Sequence, residues 1–373
     1  VTLNGTAANL ITFANNAITS GIGGTGGATG AGIASRAGDG GESGVAYGGA
    51  LSYHIAAGSG NTTTNAVSAT FTTFSDNTVT TAIGGTAGSS VVASNGGNAG
   101  TATTTDSGTV TTASSSFAGG RGGGLAVIDE VGTTNLTVTS SSFTGNQITG
   151  GQGGPSIFGL NGDGSAALGG GIDLSSLTEG TATLTDTPIT NNTIVAGAGG
   201  TSTSSYGGNG GLAEGGGIAT DNYNLSLSSS TAPFSSVSSN SATAGSGISR
   251  GGNGGAVLGG GISDDNGSLT LTSVPVTGNQ ATSGAGGAGG GNAGAANGGG
   301  IAATNSLSPS AAVVFALTSS DVTNNTLTQG NAGNGYNGGN AGYANGSLPA
   351  GADGAGVSFS FLAAGTKGTS GVQ

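Results

Sequence analysis

Hydrophobic and polar residues alternate in short runs along this chain. Leu269-Thr270-Leu271-Thr272, Leu136-Thr137-Val138-Thr139 and Thr181-Ala182-Thr183-Leu184-Thr185 put apolar residues on one face and threonines on the other, and Leu225-Ser226-Leu227-Ser228 is the serine version. A period of two marks β-strands, and β-branched threonine suits their exposed face. Two short phrases bracket these runs. One is a glycine cluster leading into an aliphatic residue, centred on Gly49, Gly123, Gly170, Gly216, Gly260 and Gly299, with a degraded copy at Gly354-Ala355-Gly356-Val357. The other is a hydrophobic residue three positions before an asparagine, as in Phe13-Ala14-Asn15-Asn16 and Ile189-Thr190-Asn191-Asn192. Its final asparagines are Asn16, Asn77, Asn146, Asn192, Asn240, Asn279 and Asn325, separated by 61, 69, 46, 48, 39 and 46 residues.

A supersecondary unit that recurs along a chain stacks on its own copies as a solenoid, because no single copy buries its apolar face. The pattern predicts an all-β fold: a right-handed parallel β-helix occupying residues 1–373 as one domain of about seven irregular repeats, with Gly-rich insertions on one side. A coil of three strands fits the fourth unit, one after Gly217-Ile218, one carrying Leu225 and Leu227, and one entering Val237. Glycine supplies corners of positive φ. Asparagine also tolerates the left-handed region, and stacked asparagines are expected to form a buried ladder of amides. No sustained 3.6-residue apolar period is present, and glycine disfavours helix interiors.

The variable repeat length lies in the glycine-rich segments. These are either projecting loops or an ordered second layer. In the last one Gly330, Gly333, Gly339 and Gly342 stand at multiples of three, with Tyr336 in the vacant slot. That is the period of the extended left-handed helix with three residues per turn, and glycine would let such chains approach closely and share backbone hydrogen bonds.

The motif pair resembles the repeats of the polymorphic outer-membrane proteins, and more widely those of Gly-rich bacterial surface proteins and autotransporter passengers. The resemblance covers nearly the whole chain as a pattern, and it rests on recurrence of short, degenerate motifs. It implies a right-handed β-helix at a cell surface, in adhesion or in a structural layer. The C-terminal β-barrel that such passengers carry is not in this sequence, and the glycine inserts are longer than the family tetrads need.

Composition narrows the function. The chain has 373 residues, of which 85 are glycine; hydrophobic residues make up 34 % and charged residues 5 %. Low complexity often accompanies disorder, but the apolar residues here recur in phase. The formal net charge of −12, with only Arg36, Arg121, Arg250 and Lys367 as cations, argues against nucleic acid. No apolar run reaches membrane-spanning length. Cysteine is absent, so there is no disulfide framework. The start at Val1 without methionine reads as a processed or trimmed form. Gly/Thr/Ser/Asn-rich, weakly charged chains are typical outside cells, and an extracellular or cell-surface location is expected.

Chemistry is sparse. A lyase needs a base and a carboxylate cluster, and the arginines sit beside glycine-rich segments away from any such cluster. A hydrolase needs two carboxylates facing one sugar; Asp129-Glu130, Asp264-Asp265 and Asp173 are the candidates. Asp129 and Asp264 follow their glycine clusters at nearly equivalent places and are expected to align, although a solvated corner is the plainer reading. His54 is alone and suits a surface or packing role. Asn161-Gly162-Asp163-Gly164 and Asp39-Gly40-Gly41-Glu42 faintly resemble calcium turns but lack the nonapeptide spacing. The expectation is a protein without enzymatic activity or cofactor. As a structural protomer it would self-associate head to tail through open ends, at Val1, Leu3, Val357, Phe359 and Phe361. The alternatives are an adhesin that binds glycans through its Thr/Asn face or through Tyr206, Tyr336 and Tyr343, and an ice-binding protein. For the last, irregular repeat lengths are expected to break a flat lattice.

Overall fold

The computed structural model describes residues 1–26, 42–56, 64–84, 86, 103–106, 109–112, 119–156, 161–201, 207–230, 234–248, 251–305, 314–333 and 356–361. Arg36, Arg250, Lys367, Asp39, Tyr206, Tyr336 and Tyr343 lie outside them, as do the side chains of Phe359 and Phe361. Every regular element among the described residues is a β-strand. Four sheets, of twelve, seven, seven and six strands, run along the stack. All pairings within them are parallel; one antiparallel hairpin, Thr103–Asp106 with Thr109–Thr112, stands apart. The chain is a parallel β-helix.

One coil shows the path. Ala167–Leu168 belongs to the six-stranded short sheet, and Gly169 turns the chain with φ +64°. Ile172–Thr185 crosses the twelve-stranded long sheet, and Asp186 turns it again at φ 51°. Pro188–Thr190 joins one seven-stranded sheet, the phenylalanine sheet, and Thr193–Val195 joins the other, the threonine sheet. Two glycine-rich legs, 196–201 and 207–212, then lead to Ala213–Glu214, which pairs with Ala167–Leu168 one coil on. The coil therefore differs from the three-strand expectation. In the next coil Ile218–Ser228 is one continuous strand carrying both Leu225 and Leu227, and two short sheets were not foreseen.

The alternation read from the sequence sets the burial. Leu136, Val138, Leu184, Leu227, Leu269 and Leu271 are at most 1 % exposed, while their threonine and serine neighbours face outward. These leucines and valines fill a large core between the long and phenylalanine sheets. The rings of Phe13, Phe74 and Phe143 stack there with centroids 5.2 and 4.6 Å apart, and the column continues in register as Ile189, Val237, Val276 and Val322. A second, alanine-rich core lies between the threonine and short sheets, around Ala167, Ala213, Ala242 and Ala296.

The two halves of the repeat meet at a waist between these cores. The seven asparagines form one continuous column. Each donates its N–H and Nδ2 to Oδ1 of the next, from Asn16 on Asn77 (3.1 and 2.8 Å) to Asn279 on Asn325 (2.9 and 2.9 Å). From Asn77 onward Nδ2 also donates to a carbonyl of the preceding coil, as Asn192 does to Phe143 O at 3.1 Å. Asn77, Asn146, Asn192, Asn240 and Asn279 are fully buried. The glycine cluster packs directly on this column. A Cβ on Gly170 would lie 3.1 Å from Asn192 Cβ, and one on Gly171 would lie 3.2 Å from Asn192 Nδ2.

Two local expectations need correcting. The left-handed residue at the asparagine corner is the one before the ladder position: Asn15, Asp76, Asn191, Ser239 and Asn324, with Gly145 and Gly278 in the remaining coils. The ladder asparagines are not at positive φ; their side chains must point inward. In the glycine cluster, positive φ falls on the first glycine (Gly48, Gly122, Gly169, Gly215, Gly259, Gly298) and not on Gly49, Gly123, Gly170, Gly216, Gly260 or Gly299. At those middle positions close stacking demands glycine. A Cβ on Gly123 or Gly170 would sit 2.2 Å from the carbonyl oxygen of the middle glycine one coil on.

The described parts of the glycine-rich legs are hydrogen-bonded at a period of three. Ala196 and Gly199 donate to Thr243 and Ser246 of the next outgoing leg (2.9 and 3.0 Å), while Gly197 and Gly200 donate to Ser165 and Gly162 of the preceding return leg (2.8 and 2.8 Å). Gly333 follows the same rule, donating to Gly291 O, while Gly330 donates to Ser283 Oγ, which passes the bond on to Gly294 O of the return leg; Gly339 and Gly342 lie outside the described residues. The pattern is that of packed three-residue-per-turn extended chains. Most glycines here abut a neighbouring backbone: a Cβ would lie 1.8 Å from Gly151 O at Gly197 and 1.9 Å from Ser165 O at Gly211.

Two predictions follow from this packing. Asn192→Ala removes the acceptor of the Asn146 N–H and Nδ2 and strands the Phe143 carbonyl in the interior, while Asn240 Oδ1 keeps only the backbone N–H of residue 192. It should cost about 2–4 kcal/mol, read as a lowered urea midpoint, while Thr193→Ala on the outer face stays within about 0.5 kcal/mol. Gly197→Ala forces its methyl into a carbonyl and should lower the melting temperature sharply. Gly24→Ala, which has open space and no positive φ, should be neutral or raise it slightly by restricting the unfolded chain.

Candidate functional site

One group of charged residues, Arg121, Asp173, Glu214, Asp221 and Asp265, gathers where the short sheet meets the long sheet. The glycine cluster turns the chain between them, so the outward side chains of the two sheets converge in that corner. On the short-sheet side one column holds Tyr47, Arg121, Leu168, Glu214, Leu258 and Asn297 in register. On the long-sheet side a column runs His54, Ile128, Ser175, Asp221, Asp265 and Thr304, with Asp173 two residues before Ser175.

Arg121 reaches one coil along to Asp173. Its Nε lies 2.6 Å from Oδ2 and its Nη2 donates to Oδ1 at 3.1 Å, and both side chains are 1 % exposed. The two-point geometry makes this an ion pair. Burial pushes the Asp173 carboxyl up from its ordinary value, and the guanidinium pulls it back. Asp221 Oδ1 accepts from Asn266 Nδ2 at 3.1 Å, and Asp265 Oδ1 accepts from Thr304 Oγ1 at 2.7 Å. Glu214 is pushed up to about 8, first by desolvation and then by the charge of Asp265. At neutral pH it is mostly protonated. Ser175, directly across from Asp221, is fully buried and its Oγ has no hydrogen-bond partner.

Of the carboxylates named from the sequence, Glu130 and Asp265 are partly exposed and the other three are not solvated. Asp129, Asp173 and Asp264 are at most 1 % exposed. Nor do Asp129 and Asp264 align. Asp264 stands in register with Thr220, which is in register with Leu174 and Val127, two residues short of Asp129. Asp129 closes a turn, accepting from Val131 N, Gly132 N and Thr134 Oγ1 at 3.1, 2.8 and 2.9 Å. Asp264 points to the core side, accepts from Thr220 Oγ1 at 2.5 Å, and is raised to about 7 chiefly by desolvation. Glu130 pairs with His54 Nε2 at 2.9 Å, and the imidazole meets the Tyr47 ring edge-on with centroids 5.3 Å apart. Asn161 and Asp163 spend their side-chain oxygens on backbone N–H groups of Ser156 and Asn209. Among the described residues no group of three or more His, Cys, Asp or Glu could hold a metal.

Two features escaped sequence reasoning. The Arg121–Asp173 pair joins residues 52 apart, a contact that only coil stacking creates. The second is another ladder, on the return legs. Asn209 N donates to Asp163 Oδ1 (2.7 Å), Asn253 N to Asn209 Oδ1 (2.9 Å) and Asn292 N to Asn253 Oδ1 (3.0 Å). Its signal was present: each of these residues stands six positions before the first glycine of its cluster. Leu3 and Val357 are half-buried against the large core, at the two edge strands of the long sheet. Val1 is 51 % exposed, and its terminal amine donates to Ala66 O at 2.9 Å. No family model, curated protein or solved structure matches this chain.

The charged corner generates two further predictions. Arg121→Met leaves Asp173 buried and unpaired and should cost about 3–5 kcal/mol, whereas the double variant Arg121→Met/Asp173→Leu should recover most of it. Glu214 and Asp264 bind protons more tightly in the folded chain than in the unfolded one. The stability they contribute is complete below the ordinary carboxylate range and is lost as pH rises through about 7 and about 8. The urea midpoint should fall across that window, and Glu214→Gln with Asp264→Asn should flatten the fall.

Proposed function

We propose that this chain is a non-enzymatic structural protein of the cell exterior. It is a solenoid protomer that assembles head to tail into a fibre, a sheath or a surface layer. The observation that supports this is the asparagine ladder, whose stacking operation is the same at every step. Among the described residues, Asn16 Oδ1 accepts no donor and the Asn325 N–H has no acceptor. Asn325 of one copy set on Asn16 of the next would repeat the contact made six times within the chain, and the Phe13 ring would cover Val322. Edge strands at both faces of the long, phenylalanine and threonine sheets offer backbone groups for the same step, which is a heterologous, open-ended association. The resemblance of the repeats to surface β-helices points the same way. Among the described residues, no helix is long and apolar enough to cross a membrane.

Electron microscopy of concentrated protein tests the reading. Filaments with an axial repeat of one solenoid are the expected result, and Asn16→Asp with Asn325→Asp, which sets like charges across the joint, should disperse them. Single short rods at every concentration would remove the head-to-tail assembly.

A further inference from the structure

The outer face of the long sheet carries two columns of hydroxyls. Thr137 and Thr139 stand in register with Thr183 and Thr185, and one coil further with Ser226 and Ser228, then Thr270 and Thr272. Ser68 and Thr70 extend the net on one side, and Ala316 and Thr318 on the other. Thr2 and Asn4 continue the columns beyond Ser68 and Thr70, and every position is hydroxylated except Asn4 and Ala316. The residues between them, Ala69, Val138, Leu184, Leu227 and Leu271, are at most 2 % exposed, so the face is anchored rigidly from beneath.

The spacing of the net follows from strand geometry. Coils repeat at about 4.8 Å and alternate residues at about 6.7 Å along a strand. These two repeats lie near those of the oxygen lattice of ice. Irregular repeat length was expected to break such a lattice. The structure shows why it does not: the extra residues sit in the glycine-rich legs and between strands, while the paired threonines stay one strand apart. Threonine also suits the task physically. Its β-branched side chain has few rotamers, so the hydroxyls are preordered at little entropic cost, and its methyl leaves the surface half apolar. No charged side chain stands in the two columns to hold its own hydration shell. Nor does any aromatic ring, the usual platform for a sugar face. The threonine sheet is less regular, interrupted by Ala17, Gln147, Val195 and Gln280, and the phenylalanine sheet is interrupted by Ala14 and by the rigid ring of Pro188.

We propose that this hydroxyl net binds the surface of ice. The inference does not rest on assembly, and the two fail separately. Thermal hysteresis and crystal habit would be measured on the monomeric fraction of the full chain. The expected result is a freezing gap with faceted crystals that falls to the buffer baseline in Thr137→Tyr/Thr183→Tyr, whose outward rings break the net. Thr193→Tyr on the threonine sheet should retain it, with both variants matching the parent in circular dichroism. If Thr137→Tyr/Thr183→Tyr loses its fold, Thr183→Val, which removes one hydroxyl without changing shape, replaces it and should reduce the gap. No hysteresis in the parent chain would overturn the proposal. So would hysteresis that survives the double variant.

Discussion

The buried contact between the glycine cluster and the asparagine column is the constraint from which the rest of the structure follows. An asparagine amide in an apolar interior is costly unless its donors and acceptor are all used. Here the donors are satisfied by Oδ1 of the next coil's asparagine and a carbonyl of the preceding coil, and Oδ1 by the asparagine of the preceding coil. A coil therefore cannot slip by one residue or tilt without stranding several polar atoms. The glycines opposite are required because the column fills the waist so closely that a methyl would meet a neighbouring carbonyl. The waist divides the interior in two, leaving large side chains on one side and alanines on the other.

The same logic, saturating polar groups by stacking, extends through the molecule. The described parts of the glycine legs carry almost no side chains to bury, yet they pack because their N–H groups meet carbonyls on neighbouring legs at every third residue. The return-leg ladder of Asp163, Asn209, Asn253 and Asn292 adds one side-chain acceptor per coil. Charges are few, and at the corner between the short and long sheets Arg121 and Asp173 neutralise each other while Glu214 is held largely protonated by burial. The half of the long sheet that carries Thr137, Thr183, Ser226 and Thr270 holds no charge in its two outward columns, which is why a regular hydroxyl net survives there.

Sequence and structure agree best where a feature depends on neighbours along the chain. The strand alternation, the seven asparagines and the presence of a turn at each glycine cluster were legible, because period-two burial and left-handed turns are local properties, although the left-handed glycine is the first of each cluster and not the middle one. The residue carrying the left-handed turn was misplaced by one, since Asn15 and Asn16 are equally plausible from composition and only the inward aim of Asn16 distinguishes them. The charged corner was not legible. Asp129 and Asp264 looked equivalent by their distance from a glycine cluster, but register is set by pairing across coils, and it puts them two positions apart.

The sequence by itself determined that the chain is an all-β stack of one repeated unit, because only a solenoid buries seven copies of so short an apolar pattern. Tertiary structure alone decided which residues meet across coils: Arg121 with Asp173, glycine leg with glycine leg, threonine with threonine. The physical reason is that intervening loops of unequal length hide the register in the linear order, while backbone hydrogen bonding restores it at one strand spacing per coil.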